Sequence, residues 1–456
     1  MWTAVRWTTP EGSIAMTRRQ LLHTAKIIAA SAGTALSAGI LAAAERQPIG
    51  APVMRRFNEQ RWALDNIIQA NGIDWDQGRT AVMIRNCGAA VIGDMAVLRQ
   101  RVKKYADIAP AFEALARIRE AKAREAEQDG ESFEARDNYF IAAQYWASAM
   151  WPIDEINDRI EGYNTKKRET FTKFMKLADH KVEWAEIPYR GKQLPAIFHL
   201  PPGYQPGRKV PAIVMVPGMD GNKEKYVSLY GDPWMQRGFA FLAVEGPGYW
   251  EAPLRGIYTD VSGWVETGKE VMKWLLARPE IDPDKTVVIG SSFGSFFSAI
   301  MMSNEPRYRA CAVTGTCYEP GGNAIFEEAS PTFKRRFMFM SGITDEREFD
   351  EFRKSLDWHG YAEKIRVPYL IAGGESDELC PLENTKAFAK ALGGPKQLII
   401  YADARHSIGG VPSATNGPDP RAYQAKWVQA RLAGKPLTSE YWFVEPSGRI
   451  DKTPLS

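Results

Sequence analysis

Val287-Val288-Ile289-Gly290-Ser291-Ser292-Phe293-Gly294-Ser295 reads as an apolar run, a Gly-x-Ser-x-Gly turn and the opening of a helix-compatible stretch. The apolar β-branched run fits a buried strand. Glycines on both sides of Ser292 leave room for a sharp turn from strand to helix. Such a turn lifts the serine hydroxyl above the edge of a sheet and aims the following backbone N–H groups at an incoming carbonyl oxygen. The bare pattern is weak, because small residues collect in any turn; the strand before it and the helix after it make it a nucleophile elbow. Ser291 and Ser295 are neighbouring competitors, but neither holds the central place of the motif.

Around this turn, short apolar runs alternate with helical patterns. Val182 to Leu200 reads as a hairpin about Arg190-Gly191, and Val210 to Val216 and Phe239 to Val244 as buried strands. Thr286 to Ile289, Ala310 to Thr314, Tyr369 to Ala372 and Gln397 to Tyr401 continue the series. Between them, Trp264, Gly268, Val271, Met272 and Leu275 fall on one face of a helix. Continuous apolar strands alternating with helices predict an α/β fold with a mainly parallel sheet covered on both sides, its site at the carboxyl ends of the strands. Tyr318 to His359, with Phe333, Phe337, Met338, Phe339 and Met340, breaks the alternation and reads as an insertion near the site mouth; whether it caps the site or merely connects strands stays open.

A serine hydroxyl needs a base to take its proton and an acid to hold that base in one tautomer. Of five histidines, His23 lies in the leader, His180 and His199 precede the strands that build the site, and His359 lies in or beside the insertion. His406 follows the last predicted strand and is the expected base. Tyr369 to Asp377 shows a strand running into a turn, which makes Asp377 the expected acid; Glu375 is its neighbour, and Asp403 shares a turn with the base. A developing oxyanion needs two N–H donors. Phe293 is expected to supply one and Met219, in Pro217-Gly218-Met219-Asp220-Gly221, the other, while Asp220 reads as a helix cap. Glu245, in Glu245-Gly246-Pro247-Gly248-Tyr249-Trp250, mostly marks a turn and is an accessory candidate for proton placement.

The 456 residues exceed what one core usually fills, so two folded parts are expected: a helical domain over 45–180 and a catalytic domain over 181–456. In the first, Ile108, Phe112, Leu115 and Ile118 keep helical spacing, Glu127 to Glu131 form a polar break, and Tyr139, Phe140, Tyr145, Trp146 and Trp151 read as core, with some free to face a substrate cavity. Residues 1–44 read as an export leader: Thr17-Arg18-Arg19-Gln20-Leu21-Leu22 precedes an alanine-rich run ending at Ala44, which resembles a twin-arginine signal. Met16 suggests that residues 1–15 are a misassigned start. Cleavage after about Ala44 would leave no stable membrane anchor, place the protein in the periplasm or outside the cell, and take the formal net charge from +3 to zero. That balance speaks against a nucleic-acid partner and for a small-molecule substrate; a homodimer stays open. Cys87, Cys311, Cys317 and Cys380 lack metal-type spacing and read as buried thiols, with a Cys311–Cys317 bridge open.

The helical N-terminal part, the Pro217 to Glu224 loop, the Glu245-Gly246-Pro247-Gly248 turn and the Gly290 to Gly294 elbow together resemble a subgroup of α/β-hydrolases. That subgroup includes 2,6-dihydroxypseudooxynicotine hydrolase and fungal pigment polyketide-shortening hydrolases, and the likeness spans about residues 100 to 430. The resemblance implies Ser292, Asp377 and His406 as a triad, with no metal or organic cofactor. It implies hydrolysis of an ester or activated ketone through an acyl-enzyme, or cleavage of a carbon-carbon bond beside a ketone. A prolyl-oligopeptidase-type peptidase is disfavoured by the helical residues 50 to 180, where such enzymes usually carry a β-propeller. A noncatalytic ligand-binding member is disfavoured by the intact triad candidates.

Overall fold

A computed structural model describes residues 50–455. The leader expected over residues 1–44 lies outside them. No helix among the described residues is long and apolar enough to cross a membrane.

The chain opens with helices: α1 (Arg55–Glu59), α2 (Arg61–Asn71), α3 (Arg79–Cys87), α4 (Ile92–Arg101), α5 (Ile108–Asp129), α6 (Ser132–Met150) and α7 (Asp158–Leu177). The polar break sits between α5 and α6, where Gly130 takes the left-handed conformation that ends a helix. Asn157 starts α7 by accepting from the N–H groups of Arg159 and Ile160 at 3.1 and 3.0 Å. The buried stripe of α5 holds Ile108, Phe112 and Leu115 as the spacing predicts, but Ile118 is exposed. Arg119 is buried in its stead, bonded to Asp94, Asn138 and the Ala90 carbonyl. Every one of the five aromatics from Tyr139 to Trp151 is buried.

Strands follow from Val182. β1 (Val182–Tyr189) and β2 (Lys192–His199) form the predicted hairpin; β3 (Val210–Val216), β4 (Ala240–Val244), β5 (Ile281–Ser291), β6 (Cys311–Thr314), β7 (Tyr369–Gly374), β8 (Lys396–Tyr401), β9 (Glu440–Val444) and β10 (Ile450–Pro454) complete one sheet. Its order is β1-β2-β4-β3-β5-β6-β7-β8-β9-β10. The run from β4 to β9 is parallel, and β1, β2 and β10 are antiparallel additions at the edges. The expectation that Gln397 to Tyr401 is the last strand is corrected by β9 and β10. Ile450–Pro454 is half-exposed to exposed throughout, so it carries no apolar run to betray it.

Both faces of the sheet are buried. Along β3, Val210, Ala212, Val214 and Val216 join one apolar cluster while Ile213 and Met215 join another, as the two-residue period of a strand requires. The first cluster is continuous with the core of the N-terminal helices. α10 (Phe293–Ser303) runs through it with all its residues buried, after α8 (Glu251–Leu254) and α9 (Val261–Leu276), whose Trp264, Gly268, Val271, Met272 and Leu275 face inward. The segment 318–359 carries α11 (Pro331–Ser341) and α12 (Glu346–Phe352). It packs on both parts: Arg336 pairs with Asp154 at 3.2 Å, and Phe337 lies 4.6 Å from Phe293, ring to ring. The four cysteines are buried free thiols, so Cys311 and Cys317 are not bridged.

The helical part is joined to the sheet by buried charge. Lys167 on α7 meets Glu224 at 3.1 Å and Glu251 at 3.0 Å, with the lysine and Glu224 side chains fully buried. Deleting Lys167 leaves three buried carboxylates, Glu224, Glu245 and Glu251, to Lys223 as the one remaining buried lysine among them. Lys167→Ala is therefore expected to lower unfolding stability by about 3–5 kcal/mol, read as a lower urea midpoint at unchanged slope.

Candidate active site

β5 ends at Ser291 and α10 begins at Phe293, so the change of direction is made at Ser292. Its φ is 54° and ψ −130°, a region L-residues rarely enter. The flanking glycines are required by space. A Cβ on Gly290 would stand 2.4 Å from Ser298 Oγ, and one on Gly294 would stand 2.3 Å from the Val216 carbonyl oxygen. The elbow is thus pressed onto the end of β3.

The loops after β7 and β8 are stitched together by Glu375 N–H to the Tyr401 carbonyl at 3.0 Å and Ser376 N–H to the Ala404 carbonyl at 2.9 Å. This brings Asp377 beside His406. Asp377 Oδ1 accepts from the Leu379 and Cys380 N–H groups at 2.9 and 3.1 Å, and its two oxygens lie 2.9 and 3.0 Å from His406 Nδ1. On the other side of the ring, Nε2 is 2.8 Å from Ser292 Oγ. With a carboxylate at Nδ1, that nitrogen carries the proton and Nε2 accepts from the serine hydroxyl. Both Asp377 and His406 are buried. Burial pushes the imidazole pKa down, but the adjacent Asp377 carboxylate, helped by Glu378 and Asp220, outweighs it and raises the value above the ordinary one near 6.5.

Glu378, which sequence reasoning passed over, anchors the His406 backbone: its carboxylate accepts the His406 N–H at 2.9 Å. Its position next to Asp377 was the available signal. Cys317 was also missed; its Sγ lies 3.9 Å from Ser292 Oγ. The competitor Ser295 is turned to the backbone, accepting from Cys317 N–H at 3.1 Å. His180 and His199 pair with each other at 2.9 Å, and His359 pairs with Asp357 at 2.6 Å.

The loop after β3 lies against the elbow, since a Cβ on Gly218 would sit 3.0 Å from Ser292 Cβ. The Gly218 N–H donates to the Tyr226 hydroxyl at 3.2 Å, and Met219, next along, is buried. Phe293 opens α10, so its N–H belongs to the first turn, whose donors have no partner within the helix. Glu245 is placed differently from the accessory role expected of it. Its carboxylate accepts from Lys223 N–H at 3.0 Å, Lys223 Nζ at 3.1 Å and Glu251 N–H at 3.1 Å, and none of these partners belongs to the Ser292–His406–Asp377 chain. Beside Ser292 a narrow crevice of about 10 Å³ is lined by Phe293, Phe296, Cys317, Glu319, Ile325 and Leu379 among others. No cluster among the described residues has the makings of a metal site.

The model of the Prolyl oligopeptidase family matches residues 265–435, and that of the Esterase FrsA-like family matches residues 111–321. The crystal structure of 2,6-dihydroxy-pseudo-oxynicotine hydrolase superposes with a TM-score of 0.67 at 22% identity, covering 79% of this chain and 98% of that one. The chain has the α/β-hydrolase fold. Among similar proteins, the alpha/beta hydrolase xenA of Xenoacremonium sinensis is 29% identical over 239 residues, 50% of this chain and 55% of the relative. The alpha/beta hydrolase gkaG of Penicillium citrinum is 31% identical over 204 residues, 42% of this chain and 47% of the relative. The chain thus spans about half the length of the curated relatives it matches. Residues 55–177 of this chain are helical.

The positive φ at Ser292 costs on the order of 1–3 kcal/mol and is relieved only by glycine. Ser292→Gly is expected to unfold at higher denaturant than Ser292→Ala, by about 1 kcal/mol, in parallel chemical denaturation curves.

Proposed function

We propose that this α/β-hydrolase cleaves a small carbonyl compound, an ester or an activated ketone, through an acyl-enzyme on Ser292. The observation that carries this reading is His406, with Nε2 at 2.8 Å from Ser292 Oγ and Nδ1 fixed by both Asp377 oxygens. Ser292 attacks the carbonyl carbon as His406 takes its proton, and Asp377 stabilises the imidazolium so formed. The Phe293 and Met219 N–H groups receive the oxyanion. His406 then protonates the leaving group. Water, activated by the same ring, releases the acid. No step calls on a cofactor.

Cleavage of a carbon-carbon bond uses the same first step and differs in its leaving group, a carbanion that a neighbouring carbonyl must hold. The paired arginines Arg18-Arg19 and the alanine-rich run after them support export to the periplasm or beyond.

Ser292→Ala is expected to abolish both hydrolysis of p-nitrophenyl acetate and labelling by a fluorophosphonate; undiminished turnover would remove Ser292 from the mechanism. Asp377→Asn is expected to lower kcat by roughly 10³–10⁴-fold, because the tautomer of His406 is no longer held. The base works only when neutral. In the free enzyme, kcat/KM should therefore fall as pH drops through the His406 pKa, with the midpoint above about 6.5. An acid limb centred below that value would contradict the assignment.

A further inference from the structure

The narrow crevice beside Ser292 is walled on one side by residues tied to the triad and on the other by the 318–359 segment. Cys317 Sγ stands 3.9 Å from Ser292 Oγ, the Leu379 N–H donates to Asp377 at 2.9 Å, and Phe293 is the residue after the serine. Phe296, one turn further along α10, packs edge-on against Phe293 at 5.8 Å and completes that wall. Ile325 and Leu356 line the crevice from the segment, and both are buried. The space between, about 10 Å³, is that of one water molecule. A methyl group is of similar size.

The segment holds those two side chains firmly. Ile325 sits in a single turn of π-helix, Ala324–Glu328, a geometry that is rare and concentrates at functional sites. The Glu319 carboxylate accepts the Ala324 N–H at 2.7 Å, at the start of the turn. Phe326, next along, packs on Phe293 at 6.0 Å and on Phe337 at 5.1 Å, ring to ring. The Leu356 carbonyl accepts the Gly321 N–H at 2.9 Å, and Arg353 donates to the Gly321 carbonyl at 2.9 Å. Gly322 follows with φ 59°, where a Cβ would stand 2.9 Å from the Phe326 ring and 3.1 Å from Ile325 Cγ2. The wall is therefore close-packed from behind, and a group larger than a methyl enters only by displacing it.

We propose that this crevice receives the acyl half of the substrate, that Ile325 and Leu356 set the length it accepts, and that the enzyme is selective for acetyl compounds. The inference rests on Ser292 being the group that is acylated. A space one water wide gives a departing group no path, whereas the acyl half stays on Ser292 while the leaving group exits and water replaces it. The acetyl methyl is two bonds from Ser292 Oγ and fills the space against the Cys317 thiol; a longer chain would press on Ile325 and Leu356. On an acetate ester the bond from Ser292 Oγ to the acetyl carbon forms and the bond from that carbon to the alkoxide oxygen breaks. The serine proton passes through His406 to the alkoxide, and water then frees acetate.

The test measures kcat/KM of the purified full chain on p-nitrophenyl acetate and butanoate, and on ethyl and hexyl acetate, with Ile325→Ala, Leu356→Ala and Ser292→Ala alongside. The wild type is expected to lose at least about 10-fold from acetate to butanoate and to change less between the two alkyl acetates. Ile325→Ala and Leu356→Ala are each expected to raise the butanoate-to-acetate ratio by about 10-fold. That ratio is insensitive to how much of a variant is folded, so a destabilised variant still reports on the crevice. Equal rates on the two p-nitrophenyl esters, a steeper dependence on the alcohol chain than on the acyl chain, or an unchanged ratio in both variants would overturn the assignment. A wild type that cleaves none of these esters yet is labelled at Ser292 by a fluorophosphonate would overturn acetyl selectivity alone. Acetate hydrolysis that survives Ser292→Ala, or a wild type neither active nor labelled, would overturn the acyl-enzyme reading and this inference with it.

Discussion

The contact on which the site depends is the approach of the elbow to the end of β3. Gly294 lies so close to the Val216 and Pro217 carbonyl oxygens that no side chain fits between. That closeness sets the start of α10 and the loop carrying Gly218 and Met219 on either side of Ser292. A structure that let the two strands drift apart by the width of a methyl group would keep its serine but lose the shared space in front of it. Because β3 and β5 are neighbours in the middle of the sheet, that spacing is fixed by hydrogen bonds on both sides rather than by the loops themselves.

A second constraint acts from outside the sheet. Lys167 and Lys223 share the carboxylates of Glu224, Glu245 and Glu251, with Arg168 and Arg255 at the rim. Buried ion pairs are poor sources of net stability because desolvation opposes them. What they supply here is position. One lysine comes from α7, while Lys223 and Glu224 lie just past the Met219 loop and Glu245 and Glu251 flank Tyr249. The helical layer, the β3 loop and the β4 loop are tied at one point, so a shift of α7 would be felt beside Ser292.

Much of this was legible in the sequence because it follows from local pattern. Val210 to Val216 declares a buried strand by being apolar throughout, and Ser292, Asp377 and His406 each follow such a run. The misses have a common cause, which is that long-range pairing decides them. Ile118 keeps helical spacing, yet it is exposed, because Arg119 finds Asp94 and Asn138 on other helices and can be buried with them. Glu245 sits at the carboxyl edge like a site residue, but the lysine that claims it lies on another loop. β10 is a strand because β9 is there to pair with, and its own residues are too polar to announce it.

Where the chain departs from local rules, it does so at one edge. Among the described residues, four other than glycine have positive φ: Arg190, Trp250, Ser292 and Asp403. Arg190 makes the tight hairpin turn with Gly191, where such values are ordinary. The other three follow β4, β5 and β8, on the same carboxyl edge of the sheet. Folding gains nothing from unfavourable backbone there, and the rest of the structure overdetermines it: close glycines at Ser292, buried ion pairs at Trp250, and a Ser413 hydroxyl bonded to Asp403. Strain tends to persist where geometry serves chemistry. Its confinement to the loops after β4, β5 and β8 puts the strained backbone on the edge of the sheet that carries Ser292 and His406.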